Sequence, residues 1–160
     1  MIYNSLSEND TTEIGYEFGK NAKPGDIFCL CGNLGSGKTV FAKGFAKGLG
    51  VKSLVTSPTF TLINQYEGTL PFYHFDVYRI ESAREMDELG FEEFFYGDGV
   101  CLIEWADVIK DIIPKGSTWI NISYGGEKLT GGCVNPVQNG INSIPVESYS
   151  AKRQIEVVAC

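Results

Sequence analysis

The chain has 160 residues, and what it lacks narrows what it can be. No apolar run approaches the roughly 20 residues needed to cross a bilayer; the longest, such as Ile27-Phe28-Cys29-Leu30-Cys31, are strand-sized. The opening Met1-Ile2-Tyr3-Asn4-Ser5 has neither the basic segment nor the apolar stretch of a signal peptide, so a cytoplasmic protein without membrane attachment is expected. Basic residues are scarce. Lys and Arg total 13 against 20 Asp and Glu, the net charge is −7, and arginine occurs only as Arg79, Arg84 and Arg153. That balance carries no basic stripe, and tight independent binding to nucleic acid is not expected. Histidine occurs once, as His74. The five cysteines, Cys29, Cys31, Cys101, Cys133 and Cys160, therefore have no second Cys/His pair with which to build a structural zinc site. Their odd number argues against a disulfide framework, and Cys29 and Cys31, two apart in an apolar run, read as buried residues on one strand face. No linker and no internal repeat divides the chain, which leaves one domain over residues 1–160 with one core.

What is present is an alternation of helical and strand patterns. Residues 7–21 place Ile14 and Phe18 at helical spacing, and Lys23-Pro24-Gly25-Asp26 is a turn signal. The continuous apolar run Ile27–Cys31 is the pattern of a strand buried on both faces. A glycine-rich turn follows, and then Lys38–Leu49 carries Val40, Phe41, Phe45 and Leu49 on a helical period, with Gly50 placed to end the helix. Phe60–Tyr66 and Phe72–Ile80 read as two strands of an antiparallel hairpin. Ser82–Leu89 is helical and closed by Gly90. Val100–Glu104 is a second buried strand, Asp107–Ile113 a short helix stopped by Pro114, and Trp119–Tyr124 and Gln154–Val158 are strands. Residues 125–150, rich in Gly, Asn, Ser and Pro, carry no period and read as a long loop or poorly ordered insertion.

Gly32-Asn33-Leu34-Gly35-Ser36-Gly37-Lys38-Thr39 fits the Walker A pattern, between a buried strand and an apolar-periodic helix. Its glycines let backbone N–H groups wrap an anion, and the following helix adds the positive end of its dipole. Lys38 supplies a charge for the β- and γ-phosphates, and the Thr39 hydroxyl is a ligand for Mg²⁺. The fold class expected is therefore α/β: a P-loop NTPase-like single domain with a mixed sheet, parallel plus an antiparallel hairpin, flanked by helices.

A P-loop also needs a carboxylate at the end of a neighbouring strand. Val100-Cys101-Leu102-Ile103-Glu104 has that form, the alternative being a strand-end glutamate in solvent. Trp105, which follows, reads from spacing as a core or rim aromatic at least as readily as a catalytic residue. In His74-Phe75-Asp76-Val77-Tyr78-Arg79, strand alternation puts His74, Asp76 and Tyr78 on one face. Asp76 is the best second carboxylate for a metal shell, with a structural pairing to Arg79 or a lysine left open. The loop Ser57-Pro58-Thr59 sits where switch segments contact a γ-phosphate, or it is a plain turn.

These pieces, in this order, resemble the TsaE family, also called YjeE: small P-loop ATPases of bacterial tRNA threonylcarbamoyladenosine synthesis. The resemblance rests on Gly32–Thr39, Ser57-Pro58-Thr59-Phe60-Thr61-Leu62, Tyr73–Arg79, Glu88-Leu89-Gly90 and Leu102-Ile103-Glu104-Trp105-Ala106, with a weaker return at Arg153–Val157. It implies a protein that binds ATP and Mg²⁺, hydrolyses ATP slowly alone, and docks onto a TsaB–TsaD pair. TsaD transfers the threonylcarbamoyl group to adenosine 37 of tRNAs reading ANN codons, so tRNA is reached only through the complex, and ATP turnover resets that complex. The resemblance places Asn33, Leu34, Gly35, Ser36, Gly37, Lys38, Thr39 and Val40 on the nucleotide. It makes Lys38, Asp76 and Glu104 catalytic and Thr39, Glu104 and Asp76 the metal set. Ser57, Pro58 and Thr59 become a switch-like loop, Ser7 and Thr11 lie near the adenine, and Trp105 contacts nucleotide or partner. The family passes from the strand ending at Tyr124 to a short basic hairpin. Here residues 125–150 are longer, which makes Arg153, rather than Lys128, the basic residue approaching the nucleotide. Two other functions compete, a small-metabolite kinase and a nucleotide-sensing adaptor without catalysis. Three arginines are a thin supply for a kinase lid.

Overall fold

The computed structural model describes residues 1–81, 83–124 and 152–159. The stretch 125–150, and Lys128 within it, lies outside the described residues.

The sheet is built around β2 (Ile27–Cys31), in which every residue is buried. Successive side chains of a strand point to opposite faces. Phe28 and Leu30 accordingly join a cluster with Phe41, Phe45, Leu102 and Ile120, while Ile27 and Cys29 join a second cluster with Phe75, Phe91, Phe95 and Ile103. That is why the run is continuously apolar: both faces of the sheet are covered. β5 (Val100–Glu104) and β6 (Thr118–Tyr124) pair with β2 in parallel, and β4 (Phe72–Asp76) pairs with β5 in parallel. β3 (Ile63–Tyr66), β7 (Arg153–Ala159) and β1 (Ile2–Ser5) join antiparallel, giving, among the described residues, seven strands in the order β1-β7-β6-β2-β5-β4-β3. The mixed sheet with its hairpin is the architecture expected from sequence.

Helices α1 (Glu8–Asn21) and α2 (Lys38–Gly48) pack with the first cluster. Ser7 caps α1 by accepting the Asp10 N–H at 3.1 Å, and the Asp10 carboxylate accepts the Leu6 N–H at 2.8 Å. The two helices meet through glycine. A Cβ at Gly44 would stand 2.1 Å from the Thr12 carbonyl oxygen, and one at Gly15 2.3 Å from that of Phe41. This close approach holds α2, which begins at the end of the glycine loop, against α1. The second face is covered by α3 (Ala83–Glu88), α4 (Phe91–Phe95) and a 3-10 helix (Ala106–Ile112), which contribute Met86, Phe91, Phe95, Ala106 and Ile109.

The structure corrects several expectations. The strand expected at Phe60–Tyr66 starts only at Ile63. Pro58 O accepts both the Thr61 and Leu62 N–H, and Leu62 has φ +63°, so residues 58–62 turn instead of extending. The strand expected at Phe72–Ile80 stops at Asp76, and an Ile80 N–H to Val77 O bond folds the chain away. Tyr78 therefore does not continue the face of His74 and Asp76. β1 and the five-residue α4 were not foreseen. Cys31 takes part in a disulfide, against the expectation from the odd count, while Cys29 and Cys101 are buried as expected.

Candidate functional site

The parallel strands β2, β5 and β4 all end on one edge of the sheet, where open α/β folds bind ligands. Register sets the chemistry there. Asp76 and Glu104 are direct Cα partners across β4 and β5, and Glu104 is the partner of Leu30 on β2, just before the glycine loop. A cavity of about 320 Å³ opens over this edge, lined by Leu34, Gly35, Gly37, Lys38, Thr39, Val40, Ser57, Thr59, Asp76, Tyr78, Glu104 and Trp105.

The loop has the backbone that its glycines allow. Gly37, at φ +109°, precedes α2 without a side-chain cap, which leaves the first N–H groups of the helix for a ligand. A Cβ at Gly37 would lie 3.0 Å from Arg153 Nε, and one at Gly35 3.0 Å from the Tyr124 hydroxyl, so β6 and β7 lean over the loop. Lys38 is only 5% exposed. Its ammonium donates to Gly32 O at 2.7 Å and Asn33 O at 2.9 Å and stands 3.6 Å from the centroid of the Trp105 ring. Burial pulls its pKa down to about 8, against the opposing attraction of Glu104, Asp76 and Asp107.

The two carboxylates have different partners. Glu104, 2% exposed, accepts the Thr39 hydroxyl at 3.1 Å on Oε2 and meets His74 Nε2 at 2.9 Å on Oε1. Asp76, 3% exposed, accepts Ser57 Oγ at 2.8 Å and Thr59 Oγ1 at 2.7 Å on Oδ2, and the Tyr78 N–H at 3.1 Å on Oδ1. The partners of Asp76 are thus the hydroxyl loop itself, not the Arg79 or lysine left open by the sequence. Arg79 instead lies 4.3 Å from the Phe60 ring, which is 83% exposed. Trp105 has φ +62°, an uncommon conformation for a bulky residue, and is buried against Tyr78 with ring centroids 4.9 Å apart.

Most of the sequence-derived site residues therefore converge: Leu34, Gly35, Gly37, Lys38, Thr39, Val40, Ser57, Thr59, Asp76, Glu104 and Trp105 line one cavity. Asn33 contributes its carbonyl to Lys38, Ser36 is buried beneath the loop, and Pro58 is buried in the turn. Arg153 lies against Gly37 without lining the cavity. Ser7 and Thr11 are not among the lining residues: Ser7 caps α1, and the buried Thr11 hydroxyl is 2.7 Å from that of Ser5. Sequence reasoning assigned no role to His74, Tyr78 or Tyr124. The His-Phe-Asp-Val-Tyr-Arg cluster was the signal that could have found the first two. Asp107, beyond Trp105, has Oδ2 buried without a hydrogen-bond partner, and burial raises its pKa against the pull of Lys38 and Lys110.

Among the described residues one lysine and two carboxylates face the cavity, so this donor set carries more negative than positive charge. Hydroxyl and carboxylate oxygens suit a hard divalent cation. Among the described residues no group of three or more His, Cys, Asp or Glu is assembled for a metal, so oxygens from elsewhere would have to complete its shell.

A glycine loop between a central parallel strand and a helix, with a lysine, a threonine and strand-end carboxylates around one cavity, defines a P-loop domain. The profile of the TsaE family, described as "Threonylcarbamoyl adenosine biosynthesis protein TsaE", matches residues 5–130, and the chain belongs to that family. Among its relatives, a protein of Bacillus subtilis named "tRNA threonylcarbamoyladenosine biosynthesis protein TsaE" is 46% identical over 128 residues, covering 79% of this chain and 80% of the relative. A protein of the same name from Treponema pallidum is 42% identical over 118 residues, covering 74% of this chain and 87% of the relative. A crystal structure of Bacillus subtilis YdiB superposes with a TM-score of 0.74 at 35% identity, covering 99% of this chain and 84% of that one.

Proposed function

We propose that this chain binds ATP with Mg²⁺ in the P-loop cavity and hydrolyses it, as the ATPase subunit of a tRNA threonylcarbamoyladenosine assembly containing TsaB and TsaD. The observation that carries the chemistry is the juxtaposition of Lys38, Thr39, Glu104 and Asp76 around one cavity beyond the glycine loop. The names of the relatives support the biological setting. A net charge of −7 favours reaching tRNA through partners over gripping it directly. A tRNA-modifying assembly would work in the cytoplasm, where we place this chain; no helix among the described residues is long and apolar enough to cross a membrane.

Each residue has a physical task. The loop N–H groups and the start of α2 receive the polyphosphate. Lys38 leaves its two carbonyl partners and the Trp105 face to meet the β- and γ-phosphates, gaining a phosphate contact for an ammonium already stripped of most of its water. Thr39, Glu104 and Asp76 would hold the cation, with phosphate oxygens and water completing its shell. Bound there, Mg²⁺ supplies charge neutralisation on the phosphate oxygens. Asp76 would meet the cation or the attacking water, and Ser57 and Thr59, which donate their hydroxyls to it, would report on what occupies that position. Steady-state phosphate release, measured with and without purified TsaB–TsaD, tests the proposal. Slow turnover stimulated by the pair supports it. Transfer of the γ-phosphate to a small metabolite would replace it with a kinase. Binding without turnover under every condition would leave a sensing adaptor.

A further inference from the structure

His74 lies on β4 with no exposed surface, beside Leu102 of β5 in register. Its Nε2 is 2.9 Å from Glu104 Oε1, and its ring stacks on Phe72 at 5.9 Å and 13°. A carboxylate offers only lone pairs, so Nε2 carries the proton of this bond. The other ring nitrogen, Nδ1, is buried without a hydrogen-bond partner. That combination is a poor way to make a core stable. A buried polar atom left unmade is costly, and here it is tolerated beside a single gain, the bond from Nε2 to the buried Glu104 carboxylate. Stability does not explain the histidine. The state of Glu104 does.

Glu104 has three side-chain torsions and stands at a strand end, where it would otherwise be free to sample several rotamers. Its two oxygens are fixed from opposite sides, Oε1 by His74 from within the sheet and Oε2 by Thr39 from the P-loop helix. We infer that His74 is a positioning residue: it anchors one oxygen of Glu104 so that the other is presented, with Thr39, to a nucleotide-bound divalent cation. The inference rests on the Mg²⁺–nucleotide reading of the cavity. It assigns His74 no contact with the nucleotide. Partners that orient metal-site carboxylates typically contribute about 10–100-fold to metal affinity or activity.

The test uses the full chain, with His74→Leu to remove the donor and His74→Gln to restore one at a similar reach. A non-hydrolysable ATP analogue is titrated calorimetrically with saturating Mg²⁺ and again in EDTA, and the ratio of the two affinities is the magnesium gain. Thermal unfolding is followed without nucleotide. His74→Leu, which leaves Glu104 Oε1 buried without its donor, should unfold at a lower temperature than the wild type yet bind the analogue in EDTA within about two-fold of it, while its magnesium gain falls by about ten-fold or more. His74→Gln should recover most of the gain. Three outcomes overturn the inference: a full magnesium gain in His74→Leu, a glutamine variant as impaired as the leucine one, or an equal fall of affinity with and without Mg²⁺, which is the signature of a merely structural role. If His74→Leu does not fold, His74→Asn, whose amide stops short of Glu104, takes its place under the same criteria. A wild type with no magnesium gain refutes the underlying reading, and that is measured before any variant is compared.

Discussion

At neutral pH the P-loop confines a charged ammonium. Lys38 is 5% exposed, and burial lowers its pKa from 10.5 to about 8. One pKa unit is 1.36 kcal/mol, so keeping this proton in the folded state costs about 3 kcal/mol relative to the unfolded chain. Lys38→Met retains most of the stem and removes the charge. It leaves the Gly32 and Asn33 carbonyls without the ammonium, which returns about 1–2 kcal/mol of that gain. The empty variant should therefore be more stable than the wild type at pH 7 by about 1–2 kcal/mol, an increase in Tm of about 3–6 °C for a domain of this size. The pH dependence fixes the cause. Because the folded pKa lies below the unfolded one, the unfolded chain binds more protons between about pH 8 and 10.5, and wild-type stability rises through that window. Denaturant unfolding of both proteins at pH 7 and 9.5 should show the wild type gaining about 2 kcal/mol on the variant, a difference in which titrations common to both cancel. The same variant should lose nucleotide affinity. A Lys38→Met protein less stable than wild type at pH 7, with a stability difference flat between the two pH values, would refute the argument that the loop stores an unfavourable charge for the phosphate to relieve.

Thr39→Ala and Glu104→Ala should reduce the Mg²⁺-dependent part of ATP affinity and turnover far more than binding in EDTA, because loop N–H contacts to phosphate survive; titrations with and without Mg²⁺ check this. Replacing Ser57 and Thr59 together by alanine strips Asp76 Oδ2 of both hydroxyl donors and should cost about 1.5–3 kcal/mol in denaturant unfolding. In the wild type, hydrogen exchange over residues 55–61 should be slower with a non-hydrolysable ATP analogue than with ADP, and equal protection would reduce the loop to a rigid turn. Gly44→Ala, which drives a Cβ to within 2.1 Å of a backbone oxygen on α1, should destabilise by about 2–3 kcal/mol with the nucleotide site otherwise intact, read from the shift in denaturation midpoint.

Local chemistry carried much of the site in the sequence itself. The Gly32–Thr39 spacing, the buried run before it and the apolar helix after it form a unit whose parts are neighbours in the chain, and the structure realises them as β2, loop and α2. Strand-end position likewise made Glu104 legible, because four apolar residues ending in a carboxylate describe a buried strand reaching a sheet edge. Recognition of the Ser-Pro-Thr and His-Phe-Asp segments brought Ser57, Thr59 and Asp76 to the same place, although periodicity alone extended both hairpin strands too far. A turn closed by Pro58 and a positive φ at Leu62 override alternation there. What the tertiary structure decided was pairing. β1 exists because Ile2–Ser5 meets a strand some 150 residues later, and no local pattern encodes that partner. Asp76 joins the Ser57 and Thr59 hydroxyls and not Arg79, and Lys38 rests on Trp105, through the register of β4 on β5 and the seating of α2 on the sheet. Sequence fixes which donors and acceptors a segment offers; which of them meet depends on register and helix packing, and those are set by how two apolar cores close over both faces of one sheet.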